Sequence, residues 1–219
     1  MGNGLFPRGL RGVIYDCDGV ILNSREANNA FYNGVLAHFG LPPMTPEQEA
    51  YCFMATAMES LHHILPPRFH GDIGRVTRRE VNYERDILPL LKLMPGFLGF
   101  AEELHSLGIA QAVATNRTAE GFQRVLDFFA LPPYFDPVIT VSNARPKPSP
   151  EGVSKICSAW ETAPRDVLFV GDSPNDKRAA EDGGAVFAAF NAGELEGSIV
   201  VGDYAALRDA IAPALPGGR

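Results

Sequence analysis

The run Gly12-Val13-Ile14-Tyr15-Asp16-Cys17-Asp18-Gly19 constrains this chain more than any other stretch, because it drives an apolar strand into two carboxylates and a glycine. A strand ending this way places its acids where open α/β sheets bind ligands, at the carboxyl end of the strand. Side chains alternate along extended backbone, which projects Asp16 and Asp18 to one side and Cys17 to the other. Two carboxylates so close repel each other, and both stay ionised only at a cost unless a cation or a shared proton sits between them. The pair therefore points to a metal. Taken alone, an Asp-Gly step is also the mark of a tight turn, so the rest of the chain has to supply the other parts of a site.

Taken in order, the periodicity predicts a first strand over Gly12 to Tyr15 and a helix from Arg25 to Phe39, stopped by Gly40. A second helical stretch runs from Pro46 to His63, and Arg68 to Leu91 keeps a helical character. Residues 24–91 thus read as an all-helical insert. After Pro95-Gly96 the pattern becomes that of a doubly wound sheet: a helix from Phe97 to Leu107, then a buried strand over Ala110 to Ala114. Thr115-Asn116-Arg117 follows that strand. A helix from Ala119 to Phe129, a strand around Pro137 to Val141 and a helix through Trp160 come next, with Lys147 just before the last of them. The strand Asp166 to Val170 then opens into Gly171-Asp172-Ser173-Pro174-Asn175-Asp176, and a further strand (Ala185 to Phe190) and a helix (Tyr204 to Ala214) close the chain. The expected fold is α/β, a Rossmann-like doubly wound parallel sheet formed by residues 1–23 and 92–219, with the helical insert over 24–91. Parallel strands joined by right-handed crossovers would bring all four patches to one rim.

Composition excludes several classes. A net charge of −7 leaves no basic footprint for a nucleic-acid partner held through phosphates. Cys17, Cys52 and Cys157 are odd in number and widely spaced, which indicates neither a disulfide framework nor a zinc site. The segment Met1 to Arg8 lacks the apolar centre of a signal peptide, and no apolar run approaches the roughly 20 residues of a membrane span. A soluble, cytoplasmic chain is expected, monomeric or weakly dimeric, with a small molecule for its partner.

The ordered set Asp16-Cys17-Asp18-Gly19, Thr115-Asn116, Lys147 and Gly171-Asp172-Ser173-x-x-Asp176 resembles the haloacid-dehalogenase superfamily, and the likeness spans about residues 12 to 190. Singly, Thr115-Asn116 would pass for a helix cap and Lys147 for a solvated loop lysine; the order is what distinguishes them. The resemblance implies Asp16 as a nucleophile that forms an aspartyl-phosphate and Asp18 as the acid and base beside it. It also implies Mg²⁺ on Asp16, the backbone carbonyl of Asp18 and Asp172, with Asp176 behind these ligands and open between a catalytic and a purely structural role. Thr115, Asn116 (through backbone or side chain), Lys147 and the loop N–H groups around Gly19 would hold the phosphoryl group.

Within the superfamily, Asp18 favours phosphate esters over carbon–halogen bonds, and the absence of lysine from Ser24 to Leu91 closes the Schiff-base route of phosphonate-cleaving relatives. The helical insert is similar to the cap that selects the leaving group. Its apolar stretch Cys52-Phe53-Met54-Ala55-Thr56-Ala57 speaks against a sugar phosphate, while Thr115-Asn116 and Pro95-Gly96 are similar to phosphoglycolate-phosphatase-like members. The implied activity is Mg²⁺-dependent hydrolysis of a small phosphorylated metabolite. The alternatives are a phosphomutase of the β-phosphoglucomutase type and a phospho-receiver module without turnover.

Overall fold

The computed structural model describes residues 4–79 and 81–217. The outermost parts of the expected core segments (1–3 and 218–219), and with them the first residues of the Met1 to Arg8 reading, lie outside the described residues. The elements in chain order are β1 (Gly12–Tyr15), β2 (Leu22–Asn23), α1 (Arg25–His38), α2 (Pro46–Met54), α3 (Ala57–Ile64), α4 (Ile73–Arg79), β3 (Lys92–Leu93), α5 (Phe97–Ser106) and β4 (Ala110–Ala114). They continue with α6 (Ala119–Phe129), β5 (Phe135–Ile139), α7 (Glu151–Ala159), β6 (Val167–Gly171), α8 (Pro174–Asp182), β7 (Val186–Phe190), β8 (Ile199–Val201) and α9 (Tyr204–Ile211).

Two compact units emerge, one formed by the residues up to Ile21 together with those from Leu93 onward, the other by Leu22–Lys92. In the first, six parallel strands lie in the order β5-β4-β1-β6-β7-β8. β1 is flanked by β4 on one side and β6 on the other, so the chain order reverses across it, the position at which such sheets open a crevice at their carboxyl ends. Strands buried on both faces carry continuous apolar runs, as Val167-Leu168-Phe169-Val170 does. On one face Ile14, Phe169 and Phe187 pack with Val153 and Ile156 of α7 and Ala180 of α8. On the other, Tyr15 meets Phe97, Phe100 and Phe135 edge-on at 5.6, 6.4 and 6.0 Å. Burying the Tyr15 hydroxyl would be costly without a partner; Gln111 accepts its proton at 2.9 Å and in turn donates to the Ala101 carbonyl.

The second unit is helical. The sequence pattern over Pro46 to His63 reads as one helix, but the chain breaks it at Ala55-Thr56 into α2 and α3. Each has its own capping box, Thr45 with Gln48 and Thr56 with Glu59, so the second start is fixed by side chains that satisfy otherwise orphaned N–H groups. From Pro67 to Leu90 the continuous helical character resolves into 3₁₀ turns, α4 and one π turn. Three short strands escaped the pattern: the two-residue β2 and β3, which pair with each other, and the three-residue β8 at the sheet edge. No helix among the described residues is long and apolar enough to cross a membrane.

Candidate active site

Sheet register sets the spacing of the site. β1, β4 and β6 end at Tyr15, Ala114 and Gly171, and the next residue in each case is polar: Asp16, Thr115 and Asp172. Tyr15 is opposite Val113 on one side and Val170 on the other, so these three residues leave the sheet side by side. The Asp16 N–H still donates to the Val170 carbonyl and the Thr115 N–H to the Ile139 carbonyl, both at 2.9 Å, which ties the first turn of each loop to the neighbouring strand.

Lys147 joins the acids. Its Nζ lies 2.5 Å from Asp16 Oδ1 and 2.5 Å from Asp176 Oδ1, with 9% of its side chain exposed. Burial opposes the ammonium charge, but Asp16 and Asp176 outweigh it and hold the lysine's pKa above its ordinary range. Asn116 fixes the lysine's backbone from both directions: Oδ1 accepts from the Lys147 N–H at 2.8 Å and Nδ2 donates to the Lys147 carbonyl at 3.2 Å. With its amide on Lys147, Asn116 is placed to act on an anion through its backbone and through the lysine it holds.

Asp176 is fully buried and belongs to a capping box at the start of α8, where Ser173 Oγ and the N–H groups of Ser173 and Asp172 donate to its Oδ2 at 2.6, 3.1 and 3.3 Å. One oxygen therefore orders the loop that carries Asp172 while the other holds Lys147. Sequence alone left this residue between two roles, although the Ser-x-x-Asp spacing that spells the cap was there to be read.

Oxygens of Asp16, Asp172 and Asp176 lie within 4.8 Å of one another. Burial first, then the neighbouring carboxylates, pushes Asp16 up to about 7, with Lys147 pulling against them; burial and the charges of Asp176 and Asp16 push Asp172 up to about 8. Gly19 adopts a φ of +83°, and any Cβ there would collide with the Asp172 carboxylate, so only glycine lets the first loop pass this acid. Asp16, Asp18, Asp172 and Asp176 face the cations Lys147 and Arg117, leaving a deficit that a divalent ion matches. A hard, all-oxygen donor set fits Mg²⁺. Cys17, between the acids, is wholly buried, and desolvation holds its thiol well above the ordinary range, so it packs and does not react.

The two carboxylates of the first loop face different basic side chains, Asp16 meeting Lys147 and Asp18 meeting Arg117. β1 ends at Tyr15, so strand alternation does not extend to Asp18, and its carboxylate is gripped by Arg117, whose Nε and Nη2 each sit 2.7 Å from one oxygen. Arg117 had no role in the sequence reading. Thr115 is buried, and its Oγ1 accepts from the Arg117 N–H at 3.1 Å, which leaves the hydroxyl proton free to be donated.

This parallel α/β sheet, with acids just beyond the ends of β1 and β6 and a buried lysine beside them, defines an enzyme of the Rossmann-like class whose site gathers carboxylates and an ammonium at the carboxyl ends of the strands. A family model for haloacid dehalogenase-like hydrolases matches residues 13–190, and the chain belongs to that family. It is similar to a phosphoglycolate phosphatase of Cereibacter sphaeroides, 28% identical over 83% of this chain and 85% of the relative. A phosphoglycolate phosphatase of Nitrosospira multiformis is 27% identical over 96% of this chain and 94% of its own length. Among solved structures, a HAD-superfamily hydrolase of subfamily IA from Geobacter sulfurreducens matches with a TM-score of 0.75 and 32% identity, covering 93% of this chain and 98% of that one.

Proposed function

We propose that this phosphohydrolase cleaves a small phosphomonoester through an aspartyl-phosphate on Asp16. The observation that carries the reading is the Lys147 ammonium held on Asp16 by Asn116 and Asp176, with Thr115 and Asp172 leaving the two adjacent strands. Phosphoryl transfer asks chiefly for positioning and for neutralised charge. Asp16 attacks phosphorus, splitting one displacement into two. Lys147 offsets the negative charge around the nucleophile, and Thr115 donates its hydroxyl to a phosphoryl oxygen, joined by N–H groups of the Asp16–Gly19 loop and of Asn116. Asp18 protonates the departing ester oxygen and afterwards takes a proton from the attacking water. Mg²⁺, held by Asp16, the Asp18 carbonyl and Asp172, supplies Lewis-acid neutralisation of the phosphoryl charge when bound.

The curated relatives named as phosphoglycolate phosphatases support a small phosphorylated acid as the substrate. The helical unit Leu22–Lys92 is assigned the task of selecting the leaving group, on its likeness to the caps of the family. Three free, buried cysteines support a reducing cytoplasm as the working compartment.

Steady-state phosphate release from 4-nitrophenyl phosphate and from phosphoglycolate, with Mg²⁺ and with a chelator, tests the reading. Sustained Mg²⁺-dependent turnover that disappears in Asp16→Asn is the expected result. A protein that becomes stably phosphorylated without turning over would overturn it in favour of a receiver, and isomerised hexose phosphate in favour of a mutase.

A further inference from the structure

We propose that Arg117 is the positioning residue for Asp18, keeping one carboxylate oxygen on its guanidinium while the other exchanges a proton with the ester oxygen. This rests on the phosphatase reading above. Both oxygens of Asp18 face the arginine, Oδ2 on Nε and Oδ1 on Nη2, each at 2.7 Å, and both side chains are largely buried, at 13% and 18% exposure. A planar fork on a planar carboxylate fixes its plane as well as its distance, which a lysine at the same position would not do.

The arginine is itself held at both ends of its residue. Its N–H donates to Thr115 Oγ1 at 3.1 Å and its carbonyl accepts from the Val141 N–H at 3.1 Å, tying it to the rim of β4 and to the loop after β5. Asp18 lies beyond the end of β1, in an isolated bridge flanked by turn residues and immediately before the left-handed Gly19. The contact spans 99 residues of sequence and links the loop of the proton carrier to the loop of a phosphate donor.

An oxygen of Asp16 forms a bond to phosphorus while the phosphorus–ester bond breaks, and the ester oxygen leaves with that electron pair and takes the proton from the Asp18 carboxyl. Water then attacks phosphorus and gives a proton back to Asp18 as the Asp16–phosphorus bond breaks, its electron pair returning to Asp16. An anchor that keeps its hold on one oxygen of Asp18 while the other exchanges its bond to the guanidinium for the proton serves both transfers, and a misplacement of about 1 Å in such a group costs about 10²-fold.

Leaving-group dependence separates this role from a merely structural one. 4-Nitrophenolate departs without a proton, whereas the alkoxides of phosphoglycolate and glycerol 3-phosphate need one. Arg117→Ala is expected to lose about 10²-fold in kcat on an alkyl ester and only a few-fold on 4-nitrophenyl phosphate. Arg117→Lys, which keeps a cation and loses the fork, should fall between wild type and alanine on the alkyl esters. In Asp18→Asn the same arginine substitution should cost little more, because the group it positions is gone. Equal losses on both ester classes, or losses that multiply with Asp18→Asn, would overturn the proposal while leaving the phosphatase reading intact. A wild type that hydrolyses neither class overturns both.

Discussion

Both units of this chain carry ion pairs in solvent, as Arg124 with Glu120 and Arg208 with Glu103 show in the sheet unit, but the sheet unit adds a set that is buried. In the helical unit Arg75 with Asp72 and Arg85 with Asp86 sit in solvent, with every partner more than 40% exposed. In the sheet unit Lys147, Asp16 and Asp176 are at most 10% exposed, and the Arg117–Asp18 pair is only slightly more so. Water screens the first kind to near insignificance. The second kind has lost its hydration and depends on its partners, so removing one member strands the others. Charge that a fold carries inward at such cost marks where the chemistry is.

The sharpest way to break that contrast is Asp16→Asn, which removes the nucleophile and should lower kcat by about 10⁴-fold or more in a steady-state phosphate assay. Lys147→Met comes next: two acids are left buried without their ammonium, and a loss of about 3 to 5 kcal/mol in urea unfolding is expected at pH 8, together with the loss of activity.

Third is the coupling of pH to metal. Asp16 and Asp172 are raised in the folded state to about 7 and about 8, above the unfolded carboxyl value of about 3.9. The folded chain therefore holds protons that the unfolded chain has released. Their stabilising contribution is complete below about pH 4 and is lost as pH rises through 7 to 8. A bound cation favours the ionised acids, so Mg²⁺ should stabilise the fold at pH 8, by about 2.7 kcal/mol at a hundred times its Kd, and little at pH 5, read as the shift in Tm at each pH. Equal shifts at both pH values would contradict this.

Gly19→Ala, with its unfavourable φ and its collision with Asp172, should cost about 1 to 2 kcal/mol and weaken Mg²⁺ binding about tenfold or more by calorimetry. Arg85→Ala, in the helical unit, stands at the other end of the scale and should leave the urea midpoint unchanged.

Long, apolar and well-punctuated segments were legible from residues alone: β4 falls on Ala110–Ala114 as read, β6 is shifted by one residue at both ends, and β7 starts one residue later than read. β5 begins two residues earlier than the pattern suggests, at Phe135, because Phe135 fills the aromatic cluster around Tyr15. β8 has three residues with Val200 largely exposed, too short for any periodicity to register. Of the site, the residues that follow strand ends were legible because the sheet itself spaces them. Arg117 was not, since nothing next to it in sequence reveals a partner 99 residues away. Asn116 was placed at the site, but its grip on the backbone of Lys147 depends on two loops meeting.

One hydrogen bond closes the chain's excursion out of the sheet unit. The Ile21 carbonyl, where the chain leaves the sheet unit, accepts from the Met94 N–H just after the chain returns, at 2.8 Å. The point of departure and the point of return are already stitched together, so closing that gap adds little loop entropy whatever lies between. A seam of this kind leaves the ends of the excursion fixed at the sheet, so the length of chain between them is only weakly constrained by the strands that carry the acids.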